Sequence, residues 1–172
     1  MKIARRQPVA RTVATAKLWL VGLVALTALT ALVGCATPPF EVTVVRESEE
    51  LPARTIYWVG VTDEETTAYK GDTPKDFFHP SYDHKRFESR LIDAKNADPV
   101  LQIARPKDRG VNGFVIFAKY PLDAMQREPE RYKVIYNVNQ AKKGKKFRLV
   151  LAADGIELTD PKGNSPFGVV QP

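Results

Sequence analysis

Residues 132–139, Tyr-Lys-Val-Ile-Tyr-Asn-Val-Asn, decide the fold class of this 172-residue chain. Tyr132, Val134, Tyr136 and Val138 occupy every second position, and side chains two positions apart in a strand point to the same face of a sheet. An amphipathic helix would instead repeat its apolar residues every three to four positions. The stretch therefore predicts a β-strand with one apolar face.

Further strand-like segments lie on both sides of this stretch. They cover residues 42–45, 55–61, 100–105, 113–119, 147–151 and 156–159. The segment 55–61 is apolar on both faces, which is typical of a central strand covered on both sides. Its Tyr57 and Trp58 are therefore expected in the core and not on a sugar-binding surface. Asp154 and Gly155 predict a two-residue type I′ hairpin between the last two strands.

The spacing of these segments indicates an all-β fold, an antiparallel β-sandwich with a minor helical insertion. The irregular region 63–98 contains the breakers Gly71, Pro74 and Pro80. Phe87 and Leu91 are four positions apart, so a short helix is expected within 83–92, and one helical turn is expected at 122–127. We assign residues 41–160 to the sandwich domain and 161–172 to a loose C-terminal tail.

The N-terminal segment predicts export and lipidation. Five basic residues and no acidic residue accompany an apolar run at 18–33, and this 16-residue run is shorter than the roughly 20 residues of a spanning helix. The tetrapeptide Leu-Val-Gly-Cys at 32–35 resembles the bacterial lipobox. Residues 1–34 are thus predicted to be a lipoprotein signal peptide, cleaved between Gly34 and Cys35. A covalent lipid on Cys35 and a short tether at 35–40 follow; the alternative is an uncleaved anchor.

Removal of the signal peptide changes what the composition implies. The chain has 26 basic and 20 acidic residues, and loss of the five basic residues of 1–34 leaves 21 against 20. The high isoelectric point is therefore no reason to predict nucleic-acid binding. Cys35 is the only cysteine, so its acylation leaves no thiol for a disulfide or for Cys–His chemistry. Ala36, which follows in place of Asp, favours the outer membrane by resemblance to enteric sorting rules.

The sequence offers little that predicts an active site. His79 and His84, with Asp76 and Asp83, have a spacing that would allow a metal site, although a polar surface loop is the expected interpretation. Ser165 lacks the Gly-x-Ser-x-Gly context of a nucleophile elbow. We therefore expect no catalytic residues, no metal and no small-molecule substrate.

The densest charge cluster is Lys-Lys-Gly-Lys-Lys at 142–146. It is interpreted as a solvated hairpin tip whose lysines discourage edge-to-edge aggregation. The alternative is contact with anionic lipid head groups, worth about 1 kcal/mol per basic residue near the surface.

Several segments, in order, resemble the outer-membrane lipoprotein of type VI secretion systems, the TssJ (SciN) family. The segments are 56–61 followed by acidic residues, Asp76-Phe77-Phe78 with Tyr82-Asp83, residues 101–108 ending in Arg-Pro-Lys-Asp, 114–120, and the closing hairpin 143–158. The resemblance covers most of residues 41–159 and implies a transthyretin-like sandwich after a lipidated cysteine.

The resemblance also implies a function and a partner. The protein would be held at the outer membrane by its lipid, facing the periplasm, and would dock the periplasmic domain of an inner-membrane component like TssM. The docking loop of the family joins the first two strands and is longer there. The corresponding residues here are Glu49, Glu50, Leu51, Pro52, Ala53 and Arg54. The alternative is a free-standing periplasmic binding or pilotin-like lipoprotein.

Overall fold

The structure is a computed structural model that describes residues 37–95, 99–141 and 144–167. The predicted signal peptide 1–34, with Gly34, and the predicted lipidation site Cys35 lie outside the described residues. Among the described residues, no helix is both long enough and apolar enough to span a membrane.

Within the described ranges, eight strands form two four-stranded sheets. Sheet A contains, in spatial order, β4 (Val100–Ile103), β1 (Phe40–Arg46), β7 (Lys146–Leu151) and β8 (Ile156–Thr159). Sheet B contains β3 (Glu88–Ile92), β2 (Arg54–Val61), β5 (Gly113–Ala118) and β6 (Lys133–Asn137). The inner faces enclose one hydrophobic core, so the predicted β-sandwich is confirmed.

Strand direction follows the prediction with one exception among the described pairs. Five pairs are antiparallel, whereas β1 and β7 run parallel, with Val44 opposite Leu149. Parallel neighbours require a long crossover connection. Here the crossover comprises all of sheet B, which lies between β1 and β7 in the sequence.

Four aromatic rings occupy the centre of the core. Phe40, Phe114, Tyr136 and Phe147 pack with ring centroids 4.5 to 6.2 Å apart. Edge-to-face and offset pairs of this kind contribute roughly 0.5–1.5 kcal/mol each beyond their burial. Trp58 is 6% exposed in the same cluster, which confirms its predicted place in the core.

A helical insertion covers the outer face of sheet B. It contains α1 (Asp63–Gly71) and α2 (Pro74–Phe77). Thr62 begins α1 with a capping box, in which Thr62 Oγ1 accepts a hydrogen bond from Glu65 N at 3.2 Å and Glu65 Oε2 accepts one from Thr62 N at 3.0 Å. The insertion buries a second cluster formed by Val59, Val61, Phe77, Val115 and Phe117. This second cluster explains why β2 is apolar on both faces.

The polar side of β6 is also covered by α1. Lys133 Nζ donates to the carbonyl oxygens of Lys70 at 3.2 Å and Asp72 at 3.0 Å. Asn137 Nδ2 donates to Asp63 Oδ1 at 2.6 Å. The alternation that predicted this strand is therefore retained, but its polar residues bind the two ends of a helix.

The predicted helix at 83–92 is wrong. Residues 88–92 form β3, which pairs with β2 so that Leu91 lies opposite Thr55 and is 51% exposed. The four-residue spacing of Phe87 and Leu91 suggested one face of a helix, but the two side chains do not share a face. Phe87 packs on the second cluster, whereas Leu91 belongs to an edge strand. The helical turn expected at 122–127 is present as α3 (Leu122–Arg127).

The β7–β8 hairpin is not a two-residue type I′ turn. Its strands end at Leu151 and begin again at Ile156, and Ala152 N donates to Gly155 O at 2.9 Å. Gly155 is not among the described glycines with positive φ, which type I′ requires. Glycine is needed for space: a Cβ there would lie 2.7 Å from Arg131 O.

The region predicted to be a loose tail begins with a closed turn. Asp160 Oδ1 accepts hydrogen bonds from the backbone of Lys162 at 2.8 Å and of Asn164 at 2.9 Å. Phe167 packs against the sandwich core. Residues 168–172 lie outside the described residues.

Candidate functional site

The predicted docking loop joins the two sheets, and one arginine holds its backbone. Arg46, the last residue of β1, donates from Nη2 to Glu49 O at 3.0 Å and also to Leu51 O. Ser48 adds two bonds, with its carbonyl accepting from Leu51 N at 3.3 Å and its Oγ from Glu50 N at 3.2 Å. Since the backbone is fixed by its own neighbours, the loop has a defined shape before any partner binds.

Arg54, the last residue of the predicted set, belongs to the framework. Its guanidinium group lies 4.5 Å from the centroid of the Tyr120 ring, a cation–π contact. The Tyr120 hydroxyl lies 2.8 Å from Ala152 O and 2.7 Å from Gly155 O, so it bridges to the β7–β8 hairpin. Burial raises the pKa of Tyr120 to about 12, which keeps this hydroxyl protonated as a donor.

The other predicted residues differ in exposure. Glu49, Glu50, Pro52 and Ala53 are exposed, whereas Leu51 is half-buried. Glu47 is exposed beside them and its backbone N–H donates to Leu151 O at 3.0 Å. The loop thus presents three carboxylates, and the Arg46 guanidinium group is directed at backbone oxygens. The exposed part of the loop is therefore acidic.

The sequence does not identify Arg46 and Tyr120 as part of the site, because both side chains act through backbone carbonyls. An arginine at the end of a strand has no motif that identifies such a role. Tyr120 lies 66 positions from Arg54, and only the pairing of β2 with β5 brings the two together.

We expect Arg46→Ala to loosen the loop while the sandwich stays folded. Loss of hydrogen bonds from a charged donor costs about 1.5–3 kcal/mol, which corresponds to roughly ten-fold or more frequent local opening. Limited proteolysis with a glutamyl endopeptidase, which cleaves after Glu49 or Glu50, measures this opening. Arg90→Ala, on the exposed edge strand β3, is the matched control. Equal cleavage rates for the two variants would show that Arg46 does not hold the loop.

The tether enters the sandwich at the opposite end. Phe40 pairs with Ile103 and is fully buried, and the Arg105 guanidinium group lies 4.3 Å from the centroid of its ring. We call this the tether end (residues 37–40, 104–112, 137–141 and 144–146). The loop end comprises residues 47–53, 119–122 and 152–155. The seven residues of β1 separate the two ends by about 20 Å, at roughly 3.3 Å per residue.

The described lysines of the charge cluster at 142–146, Lys145 and Lys146, lie at the tether end. Lys145 O accepts a hydrogen bond from Glu41 N at 2.8 Å, and Lys146 Nζ lies 3.1 Å from Glu41 Oε2. Gly144 N donates to the Tyr136 hydroxyl at 3.0 Å, which fixes the turn to the core. Lys142 and Lys143 lie outside the described residues.

The residues considered for a metal site are engaged separately. Thr73 Oγ1 donates to Asp76 Oδ2 at 2.6 Å, and Asp83 Oδ1 accepts from Lys85 N at 3.1 Å. His79 Nδ1 lies 2.7 Å from Ser81 Oγ, while His84 Nε2 donates to Phe77 O at 2.7 Å. Within the part of the chain that the structure describes, no group of three or more His, Cys, Asp or Glu side chains could hold a metal ion.

Ser165 is exposed in the turn after Asp160, and its Oγ accepts a hydrogen bond from Phe167 N at 3.2 Å. This contact is a local backbone turn and places no general base on the hydroxyl.

Comparison of the fold with solved structures gives one informative similarity. A chain of the structure described as "Type VI membrane complex" superposes with a TM-score of 0.53, over 71% of this chain and 98% of that chain, at 7% sequence identity. The two chains share a fold. At this identity the similarity concerns architecture only. No protein-family model and no curated protein sequence matches the chain.

Two other structures are similar at lower TM-scores. One is Serratia marcescens Lip, a membrane-bound component of the type VI secretion system, with 10% identity, a TM-score of 0.46, and coverage of 73% of this chain and 99% of that one. The other is described as the T6SS protein TssM C-terminal domain from EAEC, with 5% identity, a TM-score of 0.48, and coverage of 73% and 98%.

Proposed function

We propose that this protein is a lipid-anchored docking subunit of a type VI secretion complex, a member of the TssJ family. The observation that supports this most is the shared sandwich, which covers 98% of a chain from a type VI membrane complex. The ordered segments that resemble the family, from 56–61 to the closing hairpin, point the same way. Docking needs a stable fold, an anchor and a complementary surface, and it needs no catalytic residues. The proposed role is therefore structural.

The anchor in this proposal is the lipid on Cys35, at the inner leaflet of the outer membrane. Each buried methylene contributes about 0.8 kcal/mol, and a single chain binds only marginally. A bacterial lipoprotein with three chains would not dissociate on a cellular timescale. Because Phe40 is fixed in the aromatic core, a pull on the tether acts on the sandwich as a whole and not on a frayed strand.

The docking surface in this proposal is the loop at 49–54. It stands at the loop end, about 20 Å from the residues that enter from the tether. A partner reaching out from the inner membrane would meet this end first. The exposed carboxylates Glu47, Glu49 and Glu50 favour a basic patch on the periplasmic domain of a TssM-like component, because complementary charge speeds encounter and excludes wrong partners.

We expect the double substitution Glu49→Lys with Glu50→Lys to weaken binding of that periplasmic domain at least ten-fold, with a larger loss at low salt. Reversal places like charges across the interface, which costs several kcal/mol when they face each other, and salt screens the repulsion. Binding is measured by surface plasmon resonance with the mature protein on a lipid surface. The matched control is Glu88→Lys with Glu157→Lys, exposed on β3 and β8.

A pull-down with the tagged, processed protein separates the proposal from its alternative. Recovery of a large inner-membrane protein, reduced by the Glu49/Glu50 reversal and retained by the control, supports docking through this loop. Recovery of a secretin, or of no envelope protein, would instead favour a free-standing periplasmic or pilotin-like lipoprotein. Equal binding by both charge-reversed variants would move the docking site away from 49–54.

A further inference from the structure

We propose that β1 carries the mechanical load between the membrane anchor and the partner, and that tension along this path stabilises the folded strand. This inference rests on the anchor and the docking loop of the proposed function. A protein that connects two membranes is pulled whenever they move apart. The two points at which it would be held, Cys35 and the loop at 49–54, flank the single strand β1 (Phe40–Arg46) in the sequence.

The strand is already close to the greatest length that its residues can span. From Phe40 to Arg46 it covers about 20 Å, at roughly 3.3 Å per residue, and a fully stretched chain would cover at most about 22 Å. A released, flexible segment of the same size has an end-to-end distance of only about 14 Å. Release of β1 under tension would therefore shorten the link, unless the force stretched the free segment almost completely.

The sign of the effect follows from this difference in length. Tension does work on a molecule in proportion to the length that the molecule gains, so it favours the longer of two forms. Here the longer form is the folded strand. A pull between the anchor and the loop therefore opposes the release of β1 and does not promote it.

The position of β1 inside sheet A makes its release equivalent to loss of the core. The strand pairs along one edge with β4 and along the other with β7. Phe40, Val42 and Val44 are at most 1% exposed in the inner core. A strand with two paired edges and buried side chains cannot leave the sheet without exposing that core to water.

Both ends of the strand are fixed to the same neighbour. Glu41 N donates to Lys145 O at 2.8 Å, and Glu47 N donates to Leu151 O at 3.0 Å. Beyond Glu47 the loop is turned and has length to give. The Arg46 guanidinium group, bound to carbonyl oxygens of the loop, opposes its straightening. Load that enters at the loop is therefore passed to β1.

A pull on another strand at the same end would have the opposite effect. Ala153, in the β7–β8 hairpin, also stands at the loop end, but about 110 residues separate it from Phe40. Stretched at roughly 3.3–3.6 Å per residue, that chain would reach more than about 350 Å. Tension between these points rewards unfolding with a large gain in length. Docking on the loop that continues β1 avoids this.

Single-molecule force clamping compares the two directions of pull. The processed chain, residues 35–172, is made without lipidation, so that the thiol of Cys35, the sole natural cysteine, is free for one handle. The second handle is attached at Glu47→Cys or at Ala153→Cys, both exposed positions at the loop end. The variants are thus pulled between the same two ends of the sandwich. They differ in whether the handles flank one strand or most of the chain.

The two variants need different readouts. Release of β1 in the Glu47→Cys variant is followed by thermolysin, which cuts before bulky apolar residues and would rupture the link at Phe40, Val42 or Val44. Unfolding of the Ala153→Cys variant is seen directly as an increase in length. At a force that speeds this unfolding at least about ten-fold, we expect the rupture rate of the Glu47→Cys variant to be unchanged or lower than without force.

Two controls make the rates comparable. A linear peptide of residues 35–47 with the same two thiols corrects for any effect of tension on the protease itself. Fluorescence of Trp58, which is 6% exposed in the core, confirms that each variant is folded before the handles are attached. If Glu47→Cys fails this check, Glu49→Cys, exposed in the docking loop, replaces it.

The outcomes separate this inference from the function on which it rests. Rupture of the Glu47→Cys variant that accelerates with force after correction would overturn the inference. The anchor and the docking loop would stand, since neither lipid nor partner takes part in the experiment. Docking that survives reversal of Glu49 and Glu50 would instead overturn the role of β1 in the complex, because load would then enter elsewhere, while the response of the strand to force would remain.

Discussion

Cys35→Ser is expected to remove nearly all of the protein from the outer-membrane fraction. Without the thiol no diacylglyceryl group can be attached, and the peptidase that cleaves lipidated precursors has no substrate. Three acyl chains contribute about 0.8 kcal/mol for each buried methylene. The lysine-rich sequence at 142–146 would give at most a weak, salt-sensitive attraction to the membrane, so it cannot replace the lipid.

The design of this experiment must allow for the uncleaved precursor. The apolar run at 18–33 stays on an unprocessed Cys35→Ser chain and can hold it in the inner membrane. A second version therefore replaces residues 1–35 with a signal peptide that the general signal peptidase removes. We expect the first variant in the inner-membrane fraction at precursor size, and the second in the soluble periplasmic fraction.

Fractionation on a density gradient and intact-mass measurement provide the readout. Wild-type protein should have the mass of residues 35–172 plus acyl chains. The same outer-membrane distribution for Cys35→Ser and wild type would contradict lipid anchoring. A wild-type chain that retains residues 1–34 would instead show that the apolar run is a permanent anchor.

The strands could be predicted because the polarity of each strand face indicates whether that face is covered or exposed. The alternation in 132–139 predicted β6, and the two apolar faces of 55–61 predicted β2 in the interior of a sheet. Both patterns record which side of a strand is covered, and burial is the strongest constraint on sequence in a sandwich. Hence the fold class, the core position of Trp58 and the existence of an insertion were all accessible.

Features set by long-range contacts could not be predicted in the same way. The parallel pairing of β1 with β7 depends on where the chain returns after completing sheet B. β3 is a strand because it adds to the edge of β2, although its own residues suit a helix as well. Gly155 is conformationally ordinary and is required by the approach of Arg131 O.

The candidate loop was assigned through its resemblance to the family's docking loop, but the contacts that hold it could not be predicted. Glu49 and Glu50 are exposed, as a docking surface requires, whereas Arg54 supports Tyr120 and the neighbouring hairpin. That difference arises from the β2–β5 pairing, which no local pattern encodes. The same is true of the separation of the loop end from the tether end by the length of β1.

Phe77→Ala is expected to destabilise the protein by about 3–5 kcal/mol, the range for truncating a buried phenylalanine. Phe77 is fully buried and stacks on Phe117 with ring centroids 4.0 Å apart. The rings of His84 at 4.6 Å and Phe87 at 4.7 Å meet it edge to face. Removal of this ring leaves a cavity between the insertion and sheet B. The loss is a large part of the roughly 5–15 kcal/mol by which a domain is stable.

The position of Trp58 makes this substitution a test of how the two hydrophobic clusters are coupled. After removal of residues 1–34, which contain Trp19, Trp58 is the only tryptophan. It faces the sandwich core from β2, whereas its neighbour Val59 faces the insertion. Since one strand contributes to both clusters, we expect them to unfold together. Urea unfolding followed by Trp58 fluorescence should then show a lower midpoint with an unchanged slope.

Leu91→Ala is the matched control, because Leu91 is 51% exposed and its truncation should change stability by less than about 0.5 kcal/mol. An unchanged Trp58 midpoint for Phe77→Ala, with new proteolytic cleavage between α1 and β3, would mean that the insertion opens independently of the sandwich. In that case the stability that resists a pull between membrane and partner would reside in the inner core alone, around Phe40 and the strand that connects the tether to the loop.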